Sequence, residues 1–433
     1  MIGFDVSRAY KALSLGTMAQ GDDDIPKTVE DFLSSKKELI RKVLAGQYGM
    51  HDALGWFRVA DNIGDAVLNK ITSLAEKIKR DADVFILAGV GGSNRAAQSI
   101  IEGLGYNKKS KPKIIYMGNT LSAREIQDCL ANLDGKSVYA NIIAKNFATL
   151  EPALAFRILR SWMQTRYGPT YKDRITVTGS HGKGQLAEIA ESNGYAFLEF
   201  PAAVGGRFSA FTTVGLLPMA IMGADIHGLI RGARNCEKNL KADQSGGIAA
   251  KYAAYRHLLQ QKGFGVEVLS YFEPSLQMLA RWWMQLHGES EGKKLESIMP
   301  VISCYSEDLH AMGQYYQEGG RFFFETFLDF FIPTNTIIPP SAFDDGLSYL
   351  ENRSLDSLNP AVSRATADAH FTADVPVLRF TADKVNEETL GEFMYMQMLS
   401  TYFSAAFLEA EPFDQNGVES YKQNLQFELR SQQ

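Results

Sequence analysis

Short apolar runs separated by longer amphipathic stretches alternate along most of the chain. Residues 83–89 form the clearest run, because their central positions are continuously apolar and a glycine ends the segment. A strand of a parallel sheet shows this pattern, since helices cover both of its faces. Similar runs predict further strands over residues 113–117, 139–144, 174–178, 196–200, 266–269, 299–302, 336–338 and 377–380.

Strands that alternate with helical stretches predict an α/β fold with two doubly wound α/β/α sandwich subdomains. We place the first subdomain at residues 75–220 and the second at residues 225–400. Residues 1–74 are predicted to be an N-terminal helical segment and residues 401–433 a C-terminal one. We expect both terminal segments to wrap the two subdomains.

Composition agrees with a soluble globular protein and excludes several classes of function. The 433 residues suffice for two or three domains, and the 45% of hydrophobic residues is an ordinary share. A formal net charge of −6 provides no basic surface for nucleic acid. No apolar run approaches the length of a membrane span, and no apolar stretch follows a basic start at the N-terminus. We therefore expect a cytoplasmic protein without nucleic-acid or membrane partners.

The three cysteines, Cys129, Cys236 and Cys304, are odd in number and far apart. This usage suits a reducing compartment and has no metal-ligand spacing. We interpret the cysteines as packing residues and predict neither a metal nor a cofactor.

The most informative segment is VGGRFS at residues 204–209, which an apolar run follows as far as Pro218. Gly205 and Gly206 allow a sharp turn and a close approach to a ligand. Arg207 is a permanent planar cation with fixed donor geometry. The segment predicts a tight loop that presents one cation to an anion or a developing oxyanion. On local grounds, a structural turn with a surface arginine explains it equally well.

A second glycine-rich loop, residues 89–95, follows the strand predicted at residues 83–89 and opens a helix. Backbone N–H groups and the helix dipole favour an anion at such a place. The loop lacks the dinucleotide spacing G-x-G-x-x-G, because Asn94 occupies the last glycine position counted from Gly89. A nucleotide site is therefore not predicted here.

Four segments together resemble the phosphoglucose isomerase family, also called glucose-6-phosphate isomerase. VGGRFS resembles one family signature, and PFDQNGVESYK at residues 412–422 resembles the other. GESEGK at residues 288–293 is similar to the bacterial form of the segment with the catalytic base. Residues 308–310 and 317–319 resemble the segment with the catalytic histidine. Because these segments occur in family order over most of the chain, it is identified as a member of the family.

The resemblance implies two subdomains of the sugar-isomerase (SIS) type. It implies an aldose–ketose isomerase of glycolysis and gluconeogenesis that interconverts D-glucose 6-phosphate and D-fructose 6-phosphate through a cis-enediol. It also implies a homodimer with a shared active site, in which the neighbouring subunit supplies the histidine. The aromatic stretch at residues 321–327 is equally compatible with a dimer interface and with the core.

The resemblance assigns catalytic roles to five residues. Glu289 is the base that moves a proton between adjacent carbons. Arg207 stabilises the negative charge of the intermediate. His310 opens the sugar ring, Glu151 orients the histidine, and Lys422 lies beside the ring oxygen.

The substrate-binding residues implied by the resemblance are Gly92, Ser93, Lys145, Asn146, Thr149, Gly206 and Gln285. Two residues close to Glu289 carry the same chemical groups as the proposed catalytic residues: Glu291 is a second carboxylate, and His287 is a second histidine. Glu291 is expected to serve structure or to meet solvent, and His287 is expected to be an ordinary residue. Among the seven histidines only His310 matches the family position.

The loop at residues 144–152 departs from the family pattern. Ala144 and Ala148 stand where serine and threonine are usual, and Asn146 stands where a hydroxyl residue is usual. Each lost hydroxyl removes a potential hydrogen bond to phosphate, worth up to ~1.5–3 kcal/mol. Arg95, at a position usually uncharged in the family, either compensates for this loss or pairs with a neighbouring acid.

These observations leave three functions open. The first is an active glucose-6-phosphate isomerase, favoured by the complete set of acid–base positions. The second is an isomerase of altered or broader sugar-phosphate specificity, for example one that also accepts mannose 6-phosphate. The third is a non-catalytic sugar-phosphate sensor.

Overall fold

Two five-stranded sheets organise the chain in the computed structural model, which describes residues 1–9, 24–109, 111–145, 147, 149–180 and 184–431. The strands are β1 (Ile2–Arg8), β2 (Val84–Ala88), β3 (Lys113–Met117), β4 (Val138–Ala144), β5 (Ile175–Gly179), β6 (Ala196–Glu199), β7 (Val266–Tyr271), β8 (Met299–Cys304), β9 (Phe323–Asp329) and β10 (Val377–Ala382). All predicted strands except that at residues 336–338 overlap with strands of the structure.

The α-helices of the described residues lie between and around these strands. They are α1 (Asp24–Ser35), α2 (Lys37–Leu44), α3 (Val59–Asn62), α4 (Asp65–Asp81), α5 (Gly92–Gly103), α6 (Tyr106–Lys109), α7 (Ala123–Ala131), α8 (Leu150–Tyr167), α9 (Gln185–Asn193), α10 (Thr213–Ile221), α11 (Ile226–Ala242), α12 (Gly247–Gln261), α13 (Gln277–Glu291), α14 (Leu309–Glu318), α15 (Leu358–Thr372), α16 (Glu387–Phe407) and α17 (Glu419–Ser431). None of them combines the length and the apolar composition that a membrane crossing requires.

The two sheets share one strand topology. The first has the order β3-β2-β4-β5-β6, and all of its neighbours are parallel. The second, read from its far edge, has the order β8-β7-β9-β10-β1. Its first four strands repeat the arrangement 2-1-3-4 of the first sheet, and β1 adds antiparallel to β10 at the fifth position. The predicted pair of doubly wound α/β subdomains is therefore confirmed.

This topology brings two loops of the candidate site together. In a sheet with the order 2-1-3, a crevice opens where the chain leaves the first and third strands in opposite directions. In the first sheet these strands are β2 and β4, and Ala88 pairs with Ile142 near their ends. The loop that starts at Gly89 therefore lies next to the loop that starts at Lys145.

Helices α5 and α13 pack against each other and join the two halves of the molecule. Behind them, α16 is a core helix, because every residue from 389 to 407 except Glu392 is buried. It packs on α11 and α12. Two glycines permit the close crossing with α11: a Cβ atom on Gly232 would lie 1.8 Å from the Glu388 carbonyl oxygen, and one on Gly391 2.1 Å from that of Leu229.

Two expectations for the terminal segments differ from the structure. Residues 2–8, expected within a helical segment, form β1 and extend the second sheet. The boundary predicted between residues 400 and 401 falls inside α16. The remaining domain limits stay a prediction.

The strand predicted at residues 336–338 is wrong, because only an isolated bridge between Ile337 and Ser354 occurs there. The strand of that region is β9, which overlaps with the aromatic stretch at residues 321–327 that was equally compatible with a dimer interface and with the core. All of its residues are buried, including Glu325 and Thr326 at its centre. The apolar pattern failed there because two adjacent buried polar residues interrupt it.

Candidate active site

Arg207 is the centre of the site, in a 3-10 turn (Gly206–Phe211) where it is 1% exposed. Its Nε donates to Ser290 Oγ at 2.7 Å, and its Nη1 donates to Glu289 Oε2 at 3.2 Å. Its Nη2 donates to the carbonyl oxygen of Pro412 at 2.5 Å and approaches that of Asp414 at 3.4 Å. One guanidinium thus holds the end of α13 and the segment at residues 412–414.

The buried position has an electrostatic consequence for Arg207. Burial lowers the pKa of the guanidinium, and the charge and hydrogen bond of Glu289 oppose this shift. Because arginine loses its proton only far above neutral pH, Arg207 remains a cation in the site. A cation held by fixed partners with little water around it interacts strongly with a negative charge that forms nearby.

Glu289 lies on the open side of Arg207, with its side chain 38% exposed. It borders a cleft of about 1000 Å³ lined by residues 288–289, 292–296 and 414–418. Gln285 Nε2 donates to Glu289 Oε1 at 3.1 Å, and Gln415 Nε2 donates to Oε2 at 3.3 Å. The carboxylate is therefore oriented by three donors and still reaches a cleft of substrate size, as a general base requires.

The glycine-rich loop before α5 lies directly against the Arg207 turn. A Cβ atom on Gly92 would meet the carbonyl carbon of Gly206 at 2.2 Å, so neither loop tolerates a larger residue at Gly92 without moving. Gly91 has a φ of 58°, and a Cβ atom there would lie 3.1 Å from Gln285 Nε2. Ser93 follows in the first turn of α5 and is half-buried. The structure thus brings the predicted residues Gly92, Ser93, Gly206 and Gln285 together.

The altered loop between β4 and α8 contacts the loop before Arg207 through Lys145. Lys145 Nζ donates to the Ala202 carbonyl oxygen at 2.8 Å and to that of Val204 at 3.5 Å. Burial lowers the pKa of the Lys145 ammonium. Thr149 is exposed and caps α8 without a side-chain hydrogen bond. Asn146, also predicted to bind substrate, lies outside the described residues, as does Ala148.

Arg95 does not form an ion pair with an acid within the described residues. Its Nη1 donates to the backbone carbonyl oxygen of Arg281 at 3.1 Å, so it reaches from α5 to α13. Burial lowers the pKa of Arg95, as does the positive charge of Arg281, while Glu289 raises it. Arg281, Gln285 and Glu289 follow one another at intervals of four residues, so they share one face of α13. Arg95 therefore lies beside the helix face that carries the candidate base.

Three predicted catalytic residues form no hydrogen bond or ion pair with Arg207 or Glu289 within the described part of the chain. His310 is exposed near the start of α14, and its side chain has no hydrogen bond there. Lys422 is exposed on α17, and its Nζ pairs with Glu419 Oε1 at 2.6 Å. Glu151 lies in the first turn of α8, and within the described residues it has no hydrogen bond or ion pair with Arg207 or Glu289.

Several functional contacts were missed at the level of sequence. Ser290 and the carbonyl oxygen of Pro412 hold Arg207, and Gln415 holds Glu289. Ser290 and Gln415 lie inside the segments that carry the family resemblance, so their position in these segments could have identified them as site residues. Glu291 was expected to serve structure or to meet solvent; it is 0% exposed and pairs with Arg256.

Comparisons with known proteins identify the family of the chain. Residues 65–339 match the family model for phosphoglucose isomerase. A glucose-6-phosphate isomerase of Fusobacterium nucleatum is 35% identical over 434 aligned positions, which cover 98% of this chain and 94% of that protein. The family model and this relative indicate an aldose–ketose isomerase with a doubly wound α/β fold. The chain belongs to the phosphoglucose isomerase family.

Solved structures support the same fold. A hypothetical protein from Thermus thermophilus superposes with a TM-score of 0.89 at 26% identity, covering 99% of this chain and 100% of that one. A glucose-6-phosphate isomerase from Chlamydia trachomatis gives a TM-score of 0.81 at 14% identity, covering 100% of this chain and 89% of that one. At 14% identity the second likeness concerns the fold alone.

Proposed function

We propose that this protein is a glucose-6-phosphate isomerase, which interconverts D-glucose 6-phosphate and D-fructose 6-phosphate. The observation that carries the proposal is the pair of Arg207 and Glu289 at the cleft. A carboxylate oriented by three donors lies 3.2 Å from a buried guanidinium. Moving a proton between two adjacent carbons requires such a base beside a group that stabilises the charge left on oxygen.

The reaction follows from these two groups. Glu289 accepts the proton from the carbon next to the carbonyl group, and the electron pair of that C–H bond forms the double bond of a cis-enediolate. Negative charge then develops on the former carbonyl oxygen, where Arg207 stabilises it. Glu289 returns the proton to the former carbonyl carbon. In the same stage the hydroxyl proton on the adjacent carbon passes to the former carbonyl oxygen, so a hydroxyl group forms there and the carbonyl group appears one carbon along. Gln285 and Gln415 keep the carboxylate in one orientation during both transfers.

Ring opening precedes this chemistry, because the sugar substrate is mainly a closed ring. We assign it to His310, which transfers protons between the ring oxygen and the anomeric hydroxyl. Glu151 orients the histidine, and Lys422 lies by the ring oxygen. Since His310 is exposed and has no hydrogen bond to Glu289 within the described residues, the proposal includes a homodimer in which each site takes its histidine from the partner subunit. We also propose a cytoplasmic location.

A coupled assay that follows the conversion of fructose 6-phosphate to glucose 6-phosphate tests the proposal. The variant Glu289→Gln is expected to lose about 100-fold or more in turnover, because the amide cannot accept the carbon proton. Glu296→Gln is the matched control, since this exposed acid lines the same cleft. A wild-type protein that binds the sugar phosphate without converting it would identify a sensor, and equal turnover of mannose 6-phosphate would identify broader specificity.

Mixing two inactive variants tests the shared site. In a heterodimer of Glu289→Gln and His310→Ala subunits, one of the two sites would combine an intact glutamate with an intact histidine. Random pairing at equal amounts would then restore about one quarter of wild-type activity. Recovery of no activity after verified subunit exchange would contradict the shared site and leave the Glu289 assignment untouched.

A further inference from the structure

In the last turn of α13, one side chain borders the cleft and the next two are buried. Glu289 points to the cleft, whereas Ser290 and Glu291 are 0% exposed. Successive residues of a helix are about 100° apart around its axis, so three neighbours face three directions. Ser290 accepts the hydrogen bond from Arg207, and Glu291 points into the core. The position of the proposed base is therefore decided by what the two buried neighbours contact.

Glu291 is held by two charged or polar partners in the core. Arg256 Nη1 donates to both of its carboxylate oxygens, at 2.8 and 2.7 Å. His287 Nδ1 lies 2.8 Å from Oε1, one helical turn before it. Neither Arg256 nor Glu291 has any exposed side-chain surface. A buried carboxylate of this kind has no alternative partner in water, so its position is narrowly defined.

Arg256 in turn connects α13 with three other elements. It lies on α12, its Nε donates to Glu267 Oε2 on β7 at 2.6 Å, and its Nη1 donates to Ser404 Oγ on α16 at 2.8 Å. Glu267 also accepts from Thr326 Oγ1 on β9 at 2.6 Å. The network therefore fixes the end of α13 to the second sheet and to the core helix.

We propose that Arg256 and Glu291 are positioning residues of the isomerase: their buried ion pair holds the last turn of α13 so that Glu289 and Ser290 keep their places around Arg207. The inference rests on the proposed function, because it assigns the pair a role through the proposed base. Neither residue lines the cleft. A base displaced by about 1 Å loses a large part of its efficiency, so the pair acts on turnover more than on substrate binding.

The variant Glu291→Gln tests the inference, because it removes the charge and keeps the shape. We expect kcat to fall about 10-fold or more while KM changes by less than about 3-fold, measured well below the melting temperature. Hydrogen exchange of peptides from α13 should become faster in its last turn. The matched control is Asp329→Asn, which breaks another buried ion pair, with Arg379 between β9 and β10, and does not touch α13. The control should lower the melting temperature and leave kcat within about 2-fold.

A kcat of Glu291→Gln within about 2-fold of the wild type, in the folded protein, would overturn the inference. If this variant does not fold, Glu291→Asp replaces it: the charge stays, the carboxylate retracts by one methylene group, and the same split between kcat and KM is required. If the wild type itself has no isomerase activity, the proposed function fails. Hydrogen exchange then still decides on the positioning role, because unchanged exchange in α13 would refute it.

Discussion

Replacing Arg207 by lysine separates the contribution of its charge from that of its geometry. The substitution keeps the positive charge and removes the planar fork of donors. In the wild type this fork reaches Ser290 through Nε, Glu289 through Nη1 and the Pro412 carbonyl oxygen through Nη2. A single ammonium cannot reach three acceptors in these directions at once. We expect it to keep one acceptor and to leave two without a donor.

The magnitude of the effect follows from these contacts. Of the three acceptors, Ser290 Oγ and the Pro412 carbonyl oxygen are buried, whereas Glu289 is partly exposed. Each buried acceptor left without its donor costs about 1–3 kcal/mol, so the unfolding free energy should fall by about 1–6 kcal/mol. Loss of a preorganised donor to a developing oxyanion typically costs about 2.7–4 kcal/mol in the transition state, or about 100- to 1000-fold in kcat. The effect on KM should be smaller, because the negative charge on oxygen is absent from the bound substrate.

The assay measures kcat and KM for fructose 6-phosphate together with urea unfolding of the same preparation. Arg281→Lys is the matched control, since Arg281 is an exposed arginine of α13 whose backbone carbonyl, not its side chain, bonds Arg95. A kcat of Arg207→Lys close to that of the wild type would refute the reasoning, because charge alone would then suffice. A rise in KM with unchanged kcat would show that Arg207 binds ground state and transition state equally.

Three further predictions concern single groups. We expect His310→Ala to be damaged far more on closed-ring glucose 6-phosphate than on an open-chain analogue; equal losses on both would give the histidine another task. Arg95→Leu should raise KM for the phosphorylated sugar with a smaller effect on kcat, and unchanged kinetics would exclude Arg95 from phosphate binding. Burial opposes ionisation of Glu291, but Arg256 and His287 outweigh it and lower its pKa below the ordinary 4.5. The stability that the carboxylate adds over Glu291→Gln should thus be complete above about pH 4.5 and disappear as the pH falls through the lowered pKa; a difference in melting temperature that grows as the pH falls further would contradict this.

Local patterns were sufficient for the elements that carry the site. The apolar run at residues 83–89 and the glycines after it predicted β2 and the start of α5, because a buried parallel strand and a helix start each leave a signal within a few residues. The same holds for the segment around Arg207, whose glycines allow the close approach seen at Gly92. The roles proposed for Glu289 and Arg207 likewise come from the segments that resemble the family.

The partners of these groups were not readable, because they come from distant parts of the chain. Arg207 meets Ser290 and the Pro412 carbonyl oxygen across 83 and 205 positions of sequence. The strand β1 was missed for a related reason: its pairing partner, β10, lies at the other end of the chain. No pattern within a short window reports a contact of this length.

Glu289 and Glu291 show which part of the site the local sequence determines and which part the tertiary structure decides. Sequence placed two chemically identical carboxylates two residues apart, and only the resemblance to the family preferred the first as the base. Two residues correspond to a rotation of about 200° around α13, so the two side chains point in nearly opposite directions. The tertiary structure places one at the cleft beside Arg207 and buries the other against Arg256, which lies 35 positions away. The local sequence therefore determined which groups can do chemistry, and packing decided which of them is free to do it.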